Sequence, residues 1–231
     1  MPPATVTTAP SAQDWKDHAQ EFVYWVTRTC CGVYKDGRWD PLPDPGARAA
    51  LGEGLRQRPE RFPQAAVRAI LASALGHGPE TARAVWARGV DEHRGLEPHR
   101  EYAYYTVAAL IASQARDARD QQAEFRDRQD RSLGHSLALL DAHLPFDEES
   151  PREADLRLMA KQGLAGIHMV VPDVVRQLRN RTDPVPVSWS RLILDLTTWA
   201  QTRETVTKRW NDDYYRIRYK NQPTDPEGTE D

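Results

Sequence analysis

Apolar positions recur along this chain at three- and four-residue steps, and the clearest such stripe lies near the C-terminus. From Val185 to Arg216 the sequence reads VPVSWSRLILDLTTWAQTRETVTKRWNDDYYR. Behind Ser188, a residue type that caps helix N-termini, Trp189, Leu192, Ile193, Leu196, Trp199, Val206 and Trp210 fall on one face. The spacing predicts one long helix with three indole rings turned to a core.

The same period predicts helices through most of the chain. A first helix runs from about Ser11 to Cys31, with Trp15, Ala19, Phe22, Trp25 and Val26 on its buried side. Gly32 to Gly46 holds three prolines and reads as a long loop. Helix resumes from about Gly46 to Gln57 and from about Phe62 to Leu75, where Gly76-His77-Gly78-Pro79 is a strong stop. A short helix over about Pro79 to Gly89 carries Val85 and Trp86. A longer one spans Pro98 to about Gln129, apolar in its first half and almost wholly charged in its second. Further helices cover about Ser132 to Ala142, Pro151 to Gln162, and onward to about Asn180, with Gly163, Gly166 and Pro172 as candidate kinks. No period-two run or hairpin turn signal is present. The predicted fold is all-α: an N-terminal helical bundle (13–130) and a C-terminal helical bundle (131–220) joined by a charged helical connector near 115–131. A Pro/Thr/Ala-rich N-terminus (1–12) and an acidic tail (221–231) are expected to be disordered.

Composition adds little chemistry. Cys30 and Cys31 are adjacent and have no third cysteine to pair with, so they read as small residues at a helix end. The seven histidines are scattered, and no metal pair, phosphate loop, dinucleotide turn or nucleophile elbow occurs. Asp195 is expected to be structural, as an ion pair or cap. Neither catalysis nor a cofactor or metal is expected. No apolar run reaches the ~18 residues of a membrane span, and the N-terminus lacks a signal-peptide pattern, so a cytoplasmic protein without a membrane partner is expected.

Charge is more informative in its distribution than in its sum. The net charge is −3, which by itself argues against a simple nucleic-acid binder. Yet residues 151–220 hold 13 Lys and Arg against 8 Asp and Glu, beside an acidic first part and an acidic tail. That asymmetry permits a polyanion contact on one side. With helix assumed between Asp155 and Asn180, at ~100° per residue, Arg157, Lys161, His168 and Arg179 fall within about 40° of one another. Such a stripe suits either a solvated basic edge or a phosphate track.

Several short runs, in order, resemble a known family. They are Ser132-Leu133-Gly134, then Pro186-Val187-Ser188-Trp189, Asp195-Leu196, Trp199, Arg209-Trp210 and Tyr214-Tyr215-Arg216. Phe22-Val23-Tyr24-Trp25 and Ala47-Arg48-Ala49-Ala50-Leu51 agree more loosely. Together they resemble the CasB family, the small subunit of the type I-E CRISPR surveillance complex Cascade, over about residues 14 to 219. The resemblance implies a non-catalytic subunit of an RNA-guided antiviral complex. It implies as partners a second copy of the chain, a large CasA-type subunit, backbone CasC-type subunits, CRISPR guide RNA and target DNA. The family's role is to hold the displaced DNA strand and so stabilise the R-loop, which a sequence-blind electrostatic groove can do. By position, Arg48, Arg131, Arg157, Lys161, Arg176 and Arg179 match basic places of the family. Where the family often carries two arginines after the Ala-Leu of the second helix, this chain has Gly52 and Glu53; Arg56 and Arg58, one turn on, are the substitutes. The rival expectation is a helical protein–protein adaptor that never touches nucleic acid.

Overall fold

The computed structural model describes residues 9–32, 34–35, 38–39, 43–53, 55, 65–80, 82–83, 98–114, 130–142, 144–145 and 150–220. Among these, nine α-helices and one two-stranded ribbon form: α1 (Ala12–Cys31), β1 (Tyr34–Lys35), β2 (Arg38–Trp39), α2 (Pro45–Glu53), α3 (Ala65–Leu75), α4 (Pro98–Ala112), α5 (Leu133–Leu140), α6 (Pro151–Ala160), α7 (Leu164–Arg179), α8 (Trp189–Thr197) and α9 (Trp199–Lys220). The fold is all-α. The antiparallel ribbon, with Tyr34 opposite Trp39 and Lys35 opposite Arg38, interrupts the segment expected to be only loop. The predicted short helix around Val85 and Trp86, the charged connector of 115–129, Arg56, Arg58 and the acidic tail lie outside the described residues.

Local chemistry sets the helix ends. Ser11 and Asp14 form a reciprocal capping box at α1: the Asp14 N–H donates to Ser11 Oγ (3.1 Å) and the Ser11 N–H to Asp14 Oδ2 (2.8 Å). Gly32 closes the helix at φ 71°, a conformation open to glycine. Ser132 and Ser150 cap α5 and α6, the latter with Pro151 in the first turn. After α3, Gly78 adopts φ 97° and passes so close to His18 that a Cβ there would sit 3.2 Å from the imidazole Cδ2. The stop signal read in the sequence is therefore also a packing requirement.

Three helices end earlier than the apolar period suggests. The Trp stripe is carried by two helices, not one. Thr198 separates α8 from α9, and Thr202 has non-helical angles (φ −125°, ψ 21°) inside α9. Thr197, Thr198 and Thr202 each donate their hydroxyl to a carbonyl three or four residues back, a bond that bends helices. A periodic stripe cannot report such a break, because both halves bury their apolar side. Likewise α6 ends at Ala160 and α7 restarts after Gly163, whose backbone is extended at the N-cap, whereas Gly166 and Pro172 lie within α7 without ending it. The helix starting at Pro98 ends at Ala112, and Gln114 turns inward to a buried position.

One buried cluster runs through both halves. It takes Phe22 and Val26 from α1, Tyr104 and Ile111 from α4, Leu137 from α5, Met159 from α6, Val171 and Leu178 from α7, Trp189 and Leu196 from α8, and Trp199, Trp210 and Tyr214 from α9. Helix α8 packs on α1 and α4 of the N-terminal half, whereas α9 packs chiefly on α5 and also on α6. The 188–220 segment thus spans the two bundles expected from the sequence.

Candidate nucleic-acid interface

Helix α9 is fixed by close packing and by buried polar ties, and its outward side is where the candidate surface lies. The closest approach is at Gly134. A Cβ on that residue would sit 1.8 Å from the Trp210 carbonyl oxygen, so the backbones of α5 and α9 touch there. Glycine in the Ser132-Leu133-Gly134 run is thereby explained. The indole N–H of Trp210 donates to Asp195 Oδ2 at 2.7 Å, and that of Trp199 to the Gln162 carbonyl at 3.1 Å. Trp189, Trp199 and Trp210 are all buried, as their shared stripe implies.

Asp195 is 1 % exposed and takes Arg191 (Nε to Oδ1, 2.8 Å), Arg209 and Trp210 as partners. Arg191 also reaches Asp130 (3.4 Å), which pairs with Lys16 of α1 at 2.9 Å. A buried carboxylate is retained only when paired in this way, and the role is structural. A second tie lies at the other end of α9. Buried Asp141 accepts from Ser150 Oγ and from the Tyr214 hydroxyl (2.7 Å). Buried Arg218 donates to Glu153 (2.9 Å) and to the Pro145 carbonyl (2.6 Å). Burial, first of all, pushes the Tyr214 phenol up to about 12.

These ties leave Lys208, Asp212, Tyr215, Arg216, Tyr219 and Lys220 exposed. On one flank, half-buried His135 of α5 lies near both Arg131 and Arg216, with Asp213 the opposing acid. Burial and then the two guanidiniums hold the His135 pKa below its ordinary value. On the other flank, Tyr215 neighbours Glu153 and Arg157 of α6. Lys161, one turn beyond Arg157, is exposed at the C-cap of α6. Arg131, Arg216 and Arg157 therefore lie near the outward side of α9, and Lys161 continues the exposed side of α6 beyond Arg157. Ion pairs on it, Lys208–Asp212 (2.6 Å) and Arg216–Asp213 (2.6 Å), are solvent-facing and weak.

The other sequence-predicted positions distribute differently. Arg48 is half-buried on α2, near Cys30 and Asp44. Arg176 is exposed on α7 and paired with Asp173 at 3.0 Å. Arg179 is 3 % exposed: its Nε donates to Gln114 (2.9 Å) and its Nη1 to the Val185 carbonyl (2.9 Å). Burial lowers its pKa to about 10, and it stays a cation that ties α4 to the strand of chain after α7. The four-residue stripe of Arg157, Lys161, His168 and Arg179 does not exist, because the chain breaks between α6 and α7. His168 is also buried, with Thr106 Oγ1 2.8 Å from its Nδ1. Arg216 was the omission from the sequence-based site. The signal available for it was its place in Tyr214-Tyr215-Arg216, off the buried stripe that holds Trp210.

Among the described residues, no group of three or more His, Cys, Asp or Glu side chains could hold a metal ion, and no helix is long and apolar enough to cross a membrane. Cys30 and Cys31 are buried, and burial pushes the Cys30 thiol up to about 12, far from a reactive thiolate.

Comparison with known proteins accords with this architecture. Solved structures that resemble the chain include the following three. A chain of a "CRISPR RNA-guided surveillance complex" is 28 % identical, with a TM-score of 0.62, and the match covers 90 % of this chain and 96 % of that one. A chain of a "CRISPR RNA-guided surveillance complex, pre-nicking" is 32 % identical, with a TM-score of 0.61 over 89 % and 96 % of the two chains. CasB of M. ruber shares the fold at 21 % identity, with a TM-score of 0.61 over 88 % and 95 %. A search of curated protein sequences finds no match. The family model of the CRISPR-associated protein Cse2 matches residues 47–215, which include α5 through most of α9 with Gly134, Asp195 and the three buried tryptophans. The chain belongs to the Cse2 (CasB) family of CRISPR-associated proteins.

Proposed function

We propose that this chain is a non-catalytic small subunit of an RNA-guided CRISPR surveillance complex of type I-E. In this reading it holds the backbone of the DNA strand displaced by guide RNA and thereby stabilises the R-loop. The observation that carries the proposal is the basic strip of Arg131, Arg216 and Arg157 beside α9, continued by Lys161 at the end of α6, in a chain similar over nine-tenths of its length to a surveillance-complex subunit. Phosphate contacts need long cationic side chains along a surface and no base-specific motif. Duplex exchange in an R-loop is nearly balanced, so a few such contacts shift it. Arg48 and Arg176, on other elements, are secondary candidates, as are Arg56 and Arg58. The partners in this reading are a second copy of the chain, the CasA-type large subunit, the CasC-type backbone subunits, guide RNA and target DNA.

The test is the salt dependence of single-stranded DNA binding by the full chain, alone and assembled with its partner subunits. Replacing Arg131, Arg157, Lys161 and Arg216 by Ala should weaken binding and reduce the log–log salt slope by about 0.7 for each phosphate that is no longer neutralised. A folded quadruple variant with unchanged affinity and slope would favour the adaptor reading, whose best support is the net charge of −3.

A further inference from the structure

The basic strip carries two tyrosines that the core of α9 does not use. Trp199, Val206, Trp210 and Tyr214 supply the buried side of that helix. Tyr215 and Tyr219, one turn apart, are 42 % and 71 % exposed. Isolated exposed aromatics are ordinary. These two share one helical face and are set between cations, with Arg216 and Lys220 adjacent in sequence and Arg157 beside Tyr215.

Tyr215 is also held in place. Its ring meets that of buried Tyr214 edge-on, with centroids 5.2 Å apart at 81°. Its phenol lies beside Glu153, a carboxylate already fixed by Arg218 at 2.9 Å. A ring braced by an edge-on neighbour leaves a face for a planar ligand. Exposed Lys208 and Arg216, paired with Asp212 and the half-buried Asp213, can exchange a carboxylate for a phosphate at little cost.

Cations alone serve any polyanion. Aromatic faces among them add a selection, because the bases of a duplex are stacked inside it and those of a single strand are not. We infer that Tyr215 and Tyr219 form a base-stacking platform on the outward side of α9, which makes the strip selective for single-stranded DNA over duplex DNA. The inference rests on the proposed phosphate-binding role and goes beyond it, since the buried tryptophans cannot stack on a ligand and an electrostatic groove alone gives no preference for the single strand.

The experiment compares the full chain, and the chain in its assembled complex, on three oligonucleotides of equal length: single-stranded DNA, single-stranded DNA with abasic sites throughout, and duplex. The platform predicts at least about five-fold tighter binding of the base-containing strand than of the abasic one. The Tyr215→Ser/Tyr219→Ser double variant should lose that preference while keeping its thermal midpoint, its abasic-strand affinity and its salt slope. Tyr219→Ser alone, at the more exposed position, is the check against misfolding and should lose part of the preference. Equal binding of base-containing and abasic strands by the unaltered chain overturns the platform and leaves the phosphate strip standing. Absence of salt-dependent binding to either strand overturns both. A double variant that keeps the preference, or that loses only self-association or subunit assembly, assigns the tyrosines to a protein contact and overturns the platform.

Discussion

Gly134 shows what a single atom decides in this fold. With the Trp210 carbonyl 1.8 Å from where a Cβ would stand, even alanine must push α5 and α9 apart. Overpacking of this kind costs about 1–3 kcal/mol, and Gly134→Ala should show that loss in urea unfolding. Trp199, also in the core, donates its indole N–H to Gln162, and Trp199→Ala should cost about 3–5 kcal/mol by the same measurement. His18 is a pH-sensitive counterpart. Its Nε2 donates to the Leu75 carbonyl (3.1 Å) and its Nδ1 faces the Tyr104 hydroxyl (2.9 Å), so the buried ring is neutral. Burial lowers its pKa below 6.5. The unfolded chain therefore binds the proton more readily, and the stabilisation is complete above the unfolded value and lost as pH falls below it. Unfolding free energy should decline from about pH 6.5 downward. The decline should be shallower in His18→Gln; an identical pH profile in that variant would assign it to other groups. At this scale the sequence was legible where apolar period decides burial, as for the three tryptophans. It was mute where burial serves polar partners, as for His18, Asp141 and Arg218.

Elements were legible in kind and less so in extent. The apolar period located the helices, and Ser11, Ser132, Ser150 and Ser188 stand at N-caps. The break at Thr198 was invisible to the period, because each flanking helix buries a stripe that continues the last, whereas the break at Gly163 falls where the sequence placed a helix boundary and a candidate kink. The consequence for the candidate site was direct. Arg157 and Lys161 remain on one exposed turn of α6, whereas His168 and Arg179 on α7 point into the protein. The juxtaposition of Arg131 with Arg216, from segments 85 residues apart in number, depends on how α5 lies on α9 and has no trace in local spacing. The element-scale prediction concerns the α8–α9 joint. Asp195→Ala removes the buried, shared partner of Arg191, Arg209 and Trp210. The loss should be about 3–5 kcal/mol. A change below about 1 kcal/mol in unfolding would show that the joint is held by apolar packing alone.

For the whole molecule, charge placement matters more than net charge. A chain of −3 can still present a basic strip when its acids sit in the first part and the tail, and screening confines their influence to about 10 Å at 0.1 M salt. Deleting 221–231 removes four acids and no Lys or Arg. The truncated chain should therefore bind single-stranded DNA at least as tightly as the full chain, with the larger difference at low salt, as read by titration at two salt concentrations. The most direct measurement of the central claim is site-specific photocrosslinking in the assembled complex on target DNA. A crosslinker in place of Arg157 or Arg216 should label the displaced strand, and one in place of Arg83, exposed in the N-terminal half, should not. Crosslinks from 157 and 216 only to neighbouring protein chains, with the displaced strand unlabelled, would contradict the account.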